Sequence, residues 1–225
     1  MMKELNTRMM KNSDERDTQE QISEISAHFF YRRYVKRSFD IVLSGLGIIV
    51  LAVPMLIVAF LIKITSPGPV FFCQTRYGRD SRPFTLVKFR SMAVDAPEKA
   101  NKDFSKEAMA HYVTPLGRFL RKSSIDELPQ LFNVFVGQMS LIGPRPLAKT
   151  DNHVLELRRA NGADRVRPGI TGMAQVNGRN EVSDDDKAAF DASYARNYSF
   201  MVDVKLIIDS VIVVVSQRGI NKKND

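Results

Sequence analysis

Two adjacent carboxylates, Asp126 and Glu127, stand inside the run Ser124-Ile125-Asp126-Glu127-Leu128-Pro129-Gln130. Leu128, Leu131, Phe132 and Phe135 follow the i, i+3, i+4, i+7 spacing of an amphipathic helix. Pro129 belongs in a first turn, where its missing N–H costs nothing. The spacing therefore predicts a helix starting near Asp126, with Ser124 or Asp126 as its cap. At the positive end of the helix dipole both carboxyls are expected to be ionised. An ionised Asp in that place is a candidate nucleophile, and its neighbour a candidate ligand for a divalent metal. First turns are also commonly acidic for structural reasons alone, so the pair needs partners before it counts as a site.

The candidate partners are cationic. Lys88 and Arg90 alternate with Val87 and Phe89, so in a strand they share one face, which suits a phosphate as well as solvent. Thr114 as cap and Pro115 at the first position open a helix that carries Arg118, Arg121 and Lys122 towards its end, a few residues before Asp126. Arg145 is mounted between Pro144 and Pro146, which lock the backbone on either side. A guanidinium held so rigidly suits a bidentate grip on a diphosphate. Arg165, Arg167 and Arg179 flank a stretch with glycines at 169, 172 and 178, where backbone N–H groups could approach a ligand closely. This is neither the Walker nor the dinucleotide fingerprint, and an ordinary glycine-containing loop explains it equally well.

The elements that would carry these groups follow from patterning. The formal charge of +8 over 225 residues implies a polyanionic partner: nucleic acid, an anionic membrane surface or a nucleotide substrate. Cys73 is the only cysteine, which excludes an intramolecular disulfide and argues against a Cys-based zinc site. The three histidines show no metal-binding spacing. Residues 1–30 read as a polar tail, without the features of a secretory signal. Residues 41–62 are uncharged and mostly apolar, and as a straight helix they would reach roughly 33 Å, enough for a bilayer core of about 30 Å. Pro54 divides the run, and basic residues flank both ends (Arg32, Arg33, Lys36 and Arg37 before, Lys63, Arg76, Arg79 and Arg82 after). The positive-inside tendency draws both flanks to the cytoplasm. The expectation is a re-entrant membrane helix-hairpin over 31–65, bent at Pro54.

Beyond it, residues 66–225 read as a cytoplasmic catalytic domain. Segments 70–74 and 84–89 are expected to form a small β-hairpin, and 95–112, 151–160 and 183–197 helices. A last helix over 202–215, with Asp203, Lys205 and Asp209 along one side, is expected at the membrane surface. The fold class is thus α+β, mostly helical, with amphipathic interfacial helices around the site.

Taken together the motifs resemble the bacterial sugar transferase family, the monotopic phosphoglycosyl transferases. The matching segments are Lys36-Arg37-Ser38-Phe39-Asp40, Lys88-Phe89-Arg90-Ser91-Met92, Asp126-Glu127-Leu128-Pro129-Gln130, Gly143-Pro144-Arg145-Pro146 and Arg167-Pro168-Gly169-Ile170-Thr171-Gly172, followed by Ala174-Gln175. They occur in family order over roughly residues 34–212. The resemblance implies transfer of a phospho-sugar from a UDP-sugar to undecaprenyl phosphate, with release of UMP, at the start of exopolysaccharide, capsule, O-antigen, lipopolysaccharide or glycoprotein glycan assembly. It implies Asp126 as nucleophile forming an aspartyl-phosphosugar intermediate, Glu127 beside it, and Mg²⁺ held by the pair. Lys88, Arg90, Arg118, Arg145, Arg167, Gln175 and Arg179 are the candidate phosphate- and substrate-binding residues, cations being needed to offset an anion that attacks a diphosphate. The implied location is the bacterial inner membrane with the site on the cytoplasmic face. The implied partners are membrane lipids and downstream glycosyltransferases, and no nucleic acid. The chain departs from the family pattern at Val53, where serine usually precedes the proline, at Gln138, where Asp is common, and at Met173, where a larger residue is common and the donor could be seated differently. It looks like a small, minimal member.

Two other classes fit part of the sequence. A membrane-tethered basic module that binds lipid or nucleic acid explains the charge and the apolar run but not Asp126-Glu127 near a proline-locked Arg. A metal-dependent phosphohydrolase would release free sugar phosphate instead of a lipid product.

Overall fold

A computed structural model describes residues 29–97, 111–178 and 182–216. Most of the expected N-terminal tail, most of the expected helix over 95–112, and Arg179 lie outside the described residues.

The uncharged run at 41–62 forms the middle of one long helix. A π-helical turn at Tyr31–Val35 leads into α1 (Lys36–Thr65), which is continuous and carries Pro54 inside it. Together they make the one helix among the described residues long and apolar enough to cross a membrane. Only 11% of its most apolar window is buried, so this is not the core helix of a soluble domain.

One side of α1 nevertheless stays on the rest of the chain along its whole length. At its start Lys36 pairs with Asp203 at 2.5 Å, and Arg37 donates to the carbonyls of Val134 and Phe135 at 2.7 and 2.8 Å. One turn on, the buried Asp40 carboxyl accepts from the Ser140 hydroxyl and the Leu141 N–H. Gly45 and Gly47 then leave room for Phe135 and Leu131. Near its end Met55 and Ile62 share a core cluster with Phe89 and Leu120. The basic cluster at 32–37 is largely consumed by internal contacts, since Arg32 too donates to the carbonyls of Arg196 and Tyr198.

Strands β1 (Phe71–Tyr77) and β2 (Pro83–Phe89) pair antiparallel, Phe71 opposite Phe89, as the expected hairpin. Helix α2 (Pro115–Lys122) opens as its sequence requires, with the Thr114 side chain accepting from the Gly117 N–H. The Asp126 segment departs from expectation. Ser124 sits in the left-handed region at φ 59°, Ile125–Glu127 forms a single 3₁₀ turn, and the helix proper, α3 (Gln130–Val136), begins only after Pro129. Neither Ser124 nor Asp126 is its cap. The short turn rotates Asp126 inward, to 9% exposure.

The expected apolar face of α3 is also divided. Leu131 and Val134 are buried, whereas Phe132 and Phe135 remain about half exposed.

A parallel pair with no clear signal in the sequence forms the centre of the domain. Strand β3 (Ser140–Ile142) lies beside β4 (Gly169–Thr171). Helix α4 (Asn152–Asn161) makes the crossover between them, as parallel strands demand. A short α5 (Met173–Val176) leads on to α6 (Asp184–Asn197), capped by Ser183, and to α7 (Phe200–Ser216).

Asp203 of α7 is buried, and it accepts from Tyr31, Lys36 and Tyr194. That hub ties the start of α1 to α6 and α7. On the other side of α7, Phe200, Met201, Ile207, Ile208, Val211 and Ile212 are exposed. An apolar face left uncovered beside the apolar face of α1 fits the expected seat at a membrane surface.

Candidate active site

The 3₁₀ turn that carries Asp126 and Glu127 is held from two directions. Its neighbours Ile125 and Leu128 pack on the cluster formed by Met55 and Ile62 of α1 with Phe89 and Leu120. The carboxylate pair is therefore linked through a shared apolar cluster to α1. From the other side come two cations. Lys88 of β2 reaches Glu127 Oε1 at 2.7 Å, and Arg145 reaches the same oxygen at 2.9 Å. Expectation and structure agree that Lys88, Arg145 and the carboxylate pair belong to one place.

Their electrostatics separate the two carboxyls. Burial alone would raise Glu127, but Arg145 and Lys88 outweigh it and hold this carboxyl well below the usual range. Asp126 moves the other way. Burial, and then the charge of Glu127, push it up to about 6, against the opposing pull of Lys88, Arg121 and Arg145. A helix dipole is expected to favour the ionised form of both, but at Asp126 burial and Glu127 work against it. Asp126 stands before α3 and not in its first turn, and the helix field falls off within one turn. The pair is asymmetric: one carboxylate is neutralised by two cations, and the other carries a proton affinity close to neutrality. That is the pattern by which adjacent acids take different roles.

The mounting of Arg145 explains the glycines. Gly143 donates its N–H to Thr171 O, and Gly169 donates to Pro144 O, both at 2.9 Å. A Cβ at Gly143 would meet the Arg167 carbonyl at 2.3 Å, one at Gly169 the Gly143 nitrogen at 2.1 Å, and one at Gly172 the Gly143 carbonyl at 2.1 Å. The Gly143-Pro144-Arg145-Pro146 loop is pressed flat against β4. At 169 and 172 the expected close approach of backbone is to this loop and not to a ligand.

The other expected residues divide. Arg90 is buried and donates to the carbonyls of Pro67 and Ser66 at 2.5 and 2.7 Å, fastening the end of α1 to β2. Arg167 donates to the Gly137 carbonyl at 2.9 Å, beside the end of α3. In this structure both serve as backbone staples, and neither touches the carboxylate pair. Arg118 lies on the exposed side of α2, whereas Arg121 is the α2 cation whose charge acts on Asp126. Arg121 was visible as part of the basic turn five residues before Asp126, but nothing in the spacing singled it out. Gln175 is half-buried below the Arg145 loop, with both side-chain amide atoms buried and unpartnered. Met173 is partly buried and packs against the cluster of Ile142, Tyr194 and Leu206. Gln138 accepts from Asn133 at 2.6 Å, and Asn133 in turn bonds the β2 backbone at Thr85 and Val87.

Among the described residues no cluster of three His, Cys, Asp or Glu exists. Among the described residues the donors this site can offer a metal are the pair Asp126 and Glu127. This donor set fits Mg²⁺, which commonly binds through one or two carboxylates and completes its shell with substrate phosphates and water.

Comparison with known proteins adds the family. Residues 31–217 match the family model described as bacterial sugar transferase. A UDP-glucose:undecaprenyl-phosphate glucose-1-phosphate transferase of Klebsiella pneumoniae is 40% identical over 183 residues, covering 78% of this chain and 39% of the relative. An undecaprenyl-phosphate glucose phosphotransferase of Komagataeibacter xylinus is 44% identical over 183 residues, 76% of this chain and 34% of its own length. A Bacillus subtilis protein named uncharacterized sugar transferase EpsL is 39% identical over 190 residues, 84% of this chain and 92% of its own length. The chain thus spans well under half of the first two and nearly all of the third.

Proposed function

Because the chain belongs to the bacterial sugar transferase family, we propose that it moves a phospho-sugar from a UDP-sugar to undecaprenyl phosphate at a membrane surface. The observation that carries this reading is the position of Asp126, pushed up to about 6 beside a cation-neutralised Glu127, in a turn whose Ile125 and Leu128 pack on the cluster that includes Met55 and Ile62 of α1. A soluble diphosphate donor and a membrane-borne phosphate acceptor need a site at that boundary.

The reaction exchanges one phosphoanhydride for another, so it needs positioning and charge neutralisation more than driving force. In the first step the Asp126 carboxylate attacks the sugar-bearing phosphorus. An O–P bond forms to Asp126, the bond to the bridging oxygen breaks, and UMP leaves. In the second step a phosphate oxygen of undecaprenyl phosphate attacks the same phosphorus and restores the carboxylate. Two unit charges about 4 Å apart interact by about 4 kcal/mol at an effective dielectric of about 20, so an anion attacking an anion requires offset. Lys88, Arg121 and Arg145 supply three positive charges around the two carboxylates. Glu127 fixes Lys88 and Arg145 in place, and the donor diphosphate would share them. Mg²⁺, held by Asp126 and Glu127, would supply further neutralisation of the phosphate oxygens.

On this reading the apolar segment enters the membrane and returns, although α1 runs as one continuous helix through Pro54 and not as the expected bent hairpin. Its support is that Arg37 and Asp40 at one end of α1, and Ile62 with the Arg90-held Ser66 and Pro67 at the other, are joined to one domain. A crossing helix would set those ends on opposite faces of a core about 30 Å thick. The domain then lies on the cytoplasmic side, where nucleotide sugars are made.

The test is purified protein with magnesium, undecaprenyl phosphate and a panel of UDP-sugars labelled in the sugar, beside Asp126→Asn. UMP and a labelled lipid product from one donor, both absent in the variant, support the proposal. Free sugar phosphate without lipid product would make the protein a hydrolase, and lipid binding without turnover of any donor would make it a tether.

A further inference from the structure

Arg158 of α4 and Asp191 of α6 form the most buried ion pair among the described residues, with side chains 7% and 1% exposed. Arg158 Nε and Nη2 both donate to Asp191 Oδ2, at 2.8 and 2.5 Å, and Oδ1 is left without a partner. A buried pair of this kind seldom stabilises a fold more than apolar side chains of similar volume would. What an apolar pair could not supply is the third contact. Arg158 Nη1 donates to the backbone carbonyl of Arg145 at 2.8 Å. That carbonyl lies between Pro144 and Pro146, neither of which has an N–H to fix the loop.

The Arg145 loop is therefore gripped from two sides. On one side β4 holds Gly143 and Pro144 through Thr171 and Gly169. On the other, the Arg158 fork holds Arg145 itself, and Asp191 fixes the plane of that fork.

We propose that Arg158, aimed by Asp191, is a positioning residue that sets the backbone of Arg145 so that its guanidinium meets Glu127. The inference rests on the proposed transferase site, in which Arg145 neutralises charge. Lysine at 158 can keep the ion pair with Asp191 but has no second nitrogen to reach the Arg145 carbonyl at the same time.

The experiment compares wild type, Arg158→Lys, Arg145→Ala and the double variant in UMP release, and follows hydrogen exchange of the wild type and Arg158→Lys. A displacement of about 1 Å at a catalytic group costs on the order of 100-fold. Arg158→Lys is thus expected to lower kcat/KM by about 10- to 100-fold, but by less than about 3-fold when Arg145 is already Ala, because coupled residues are non-additive. Its 143–149 amides are expected to exchange faster, with those of α6 unchanged. Equal losses in both backgrounds, or unchanged exchange at 143–149, would overturn the inference. If Arg158→Lys does not fold, Asp191→Asn takes its place with the same expected pattern. A wild type that turns over no donor contradicts the transferase reading instead, and the exchange comparison still decides whether Arg158 holds the loop.

Discussion

Gly172 offers the cleanest way to disturb the site without touching a charged group. Its φ of −175° is extended backbone that any residue adopts, so Gly172→Ala introduces no conformational strain of its own. The new methyl would stand 2.1 Å from the Gly143 carbonyl oxygen, where Cβ contacts closer than 3.0 Å essentially never occur. Relief requires the Gly143 loop to move by about 0.9 Å, and small-to-large changes in packed regions cost about 1–3 kcal/mol. Arg145 lies two residues along that loop, and its contact to Glu127 is 2.9 Å. A shift of that size carries the contact beyond hydrogen-bonding range, and kcat/KM for UMP release is expected to fall on the order of 100-fold. Gly162→Ala serves as the control. Gly162 ends α4 at φ 80°, and a Cβ there would meet only Arg165 Nε, at an ordinary contact distance of 4.0 Å, so alanine there strains the backbone by about 1–2 kcal/mol while leaving the site alone. Initial rates with thermal unfolding by circular dichroism separate the two effects. Wild-type kcat/KM in a folded Gly172→Ala protein would refute the claim that these glycines exist to bring the Arg145 loop against β4.

Further expectations follow from the charges. With Asp126 pushed up to about 6, kcat/KM, which reports the free enzyme, should fall tenfold per pH unit below about pH 6 as the nucleophile is protonated. Lys88 pulls the Asp126 carboxyl down, so Lys88→Met should move that acid limb upward; a limb that stays in place would remove Lys88 from the account. Chelation with EDTA should abolish turnover, and magnesium should restore it; full turnover in EDTA would exclude the metal. Asp203→Ala strands Lys36, which is 14% exposed, and takes the acceptor from Tyr31 and Tyr194. Removing one member of a buried pair costs about 3–5 kcal/mol, to be read as a lowered unfolding midpoint in detergent.

What could be read from the chain depended on whether the signal was local. Thr114 with Pro115, and Ser183 with three aspartates, announce helix starts through chemistry contained within four residues, and both helices begin there. The β1–β2 hairpin and the long apolar helix are equally local. The parallel β3–β4 pair was not legible, because three-residue strands leave no periodicity and their partners lie 29 residues apart. Its glycines therefore fitted a ligand loop and an ordinary loop equally well. The site was half legible. Asp126, Glu127, Lys88 and Arg145 could be gathered from residue type and resemblance, but the fates of Arg90 and Arg167 depend on which carbonyl lies nearby in space. The raised Asp126 has the same origin. Its turn is rotated inward by the left-handed Ser124, which no propensity at that position foretells.

The central claim is that Asp126 becomes covalently bonded to the phospho-sugar. Intact-protein mass spectrometry after mixing enzyme, magnesium and the accepted UDP-sugar, without undecaprenyl phosphate, tests it most directly. The account predicts release of up to one equivalent of UMP. It also predicts a protein adduct equal to the sugar phosphate, mapped to the peptide with Asp126, absent in Asp126→Asn and discharged when the lipid phosphate is added. UMP release that requires the acceptor from the first turnover, with no adduct at any time, would contradict it and point to direct transfer between the two substrates.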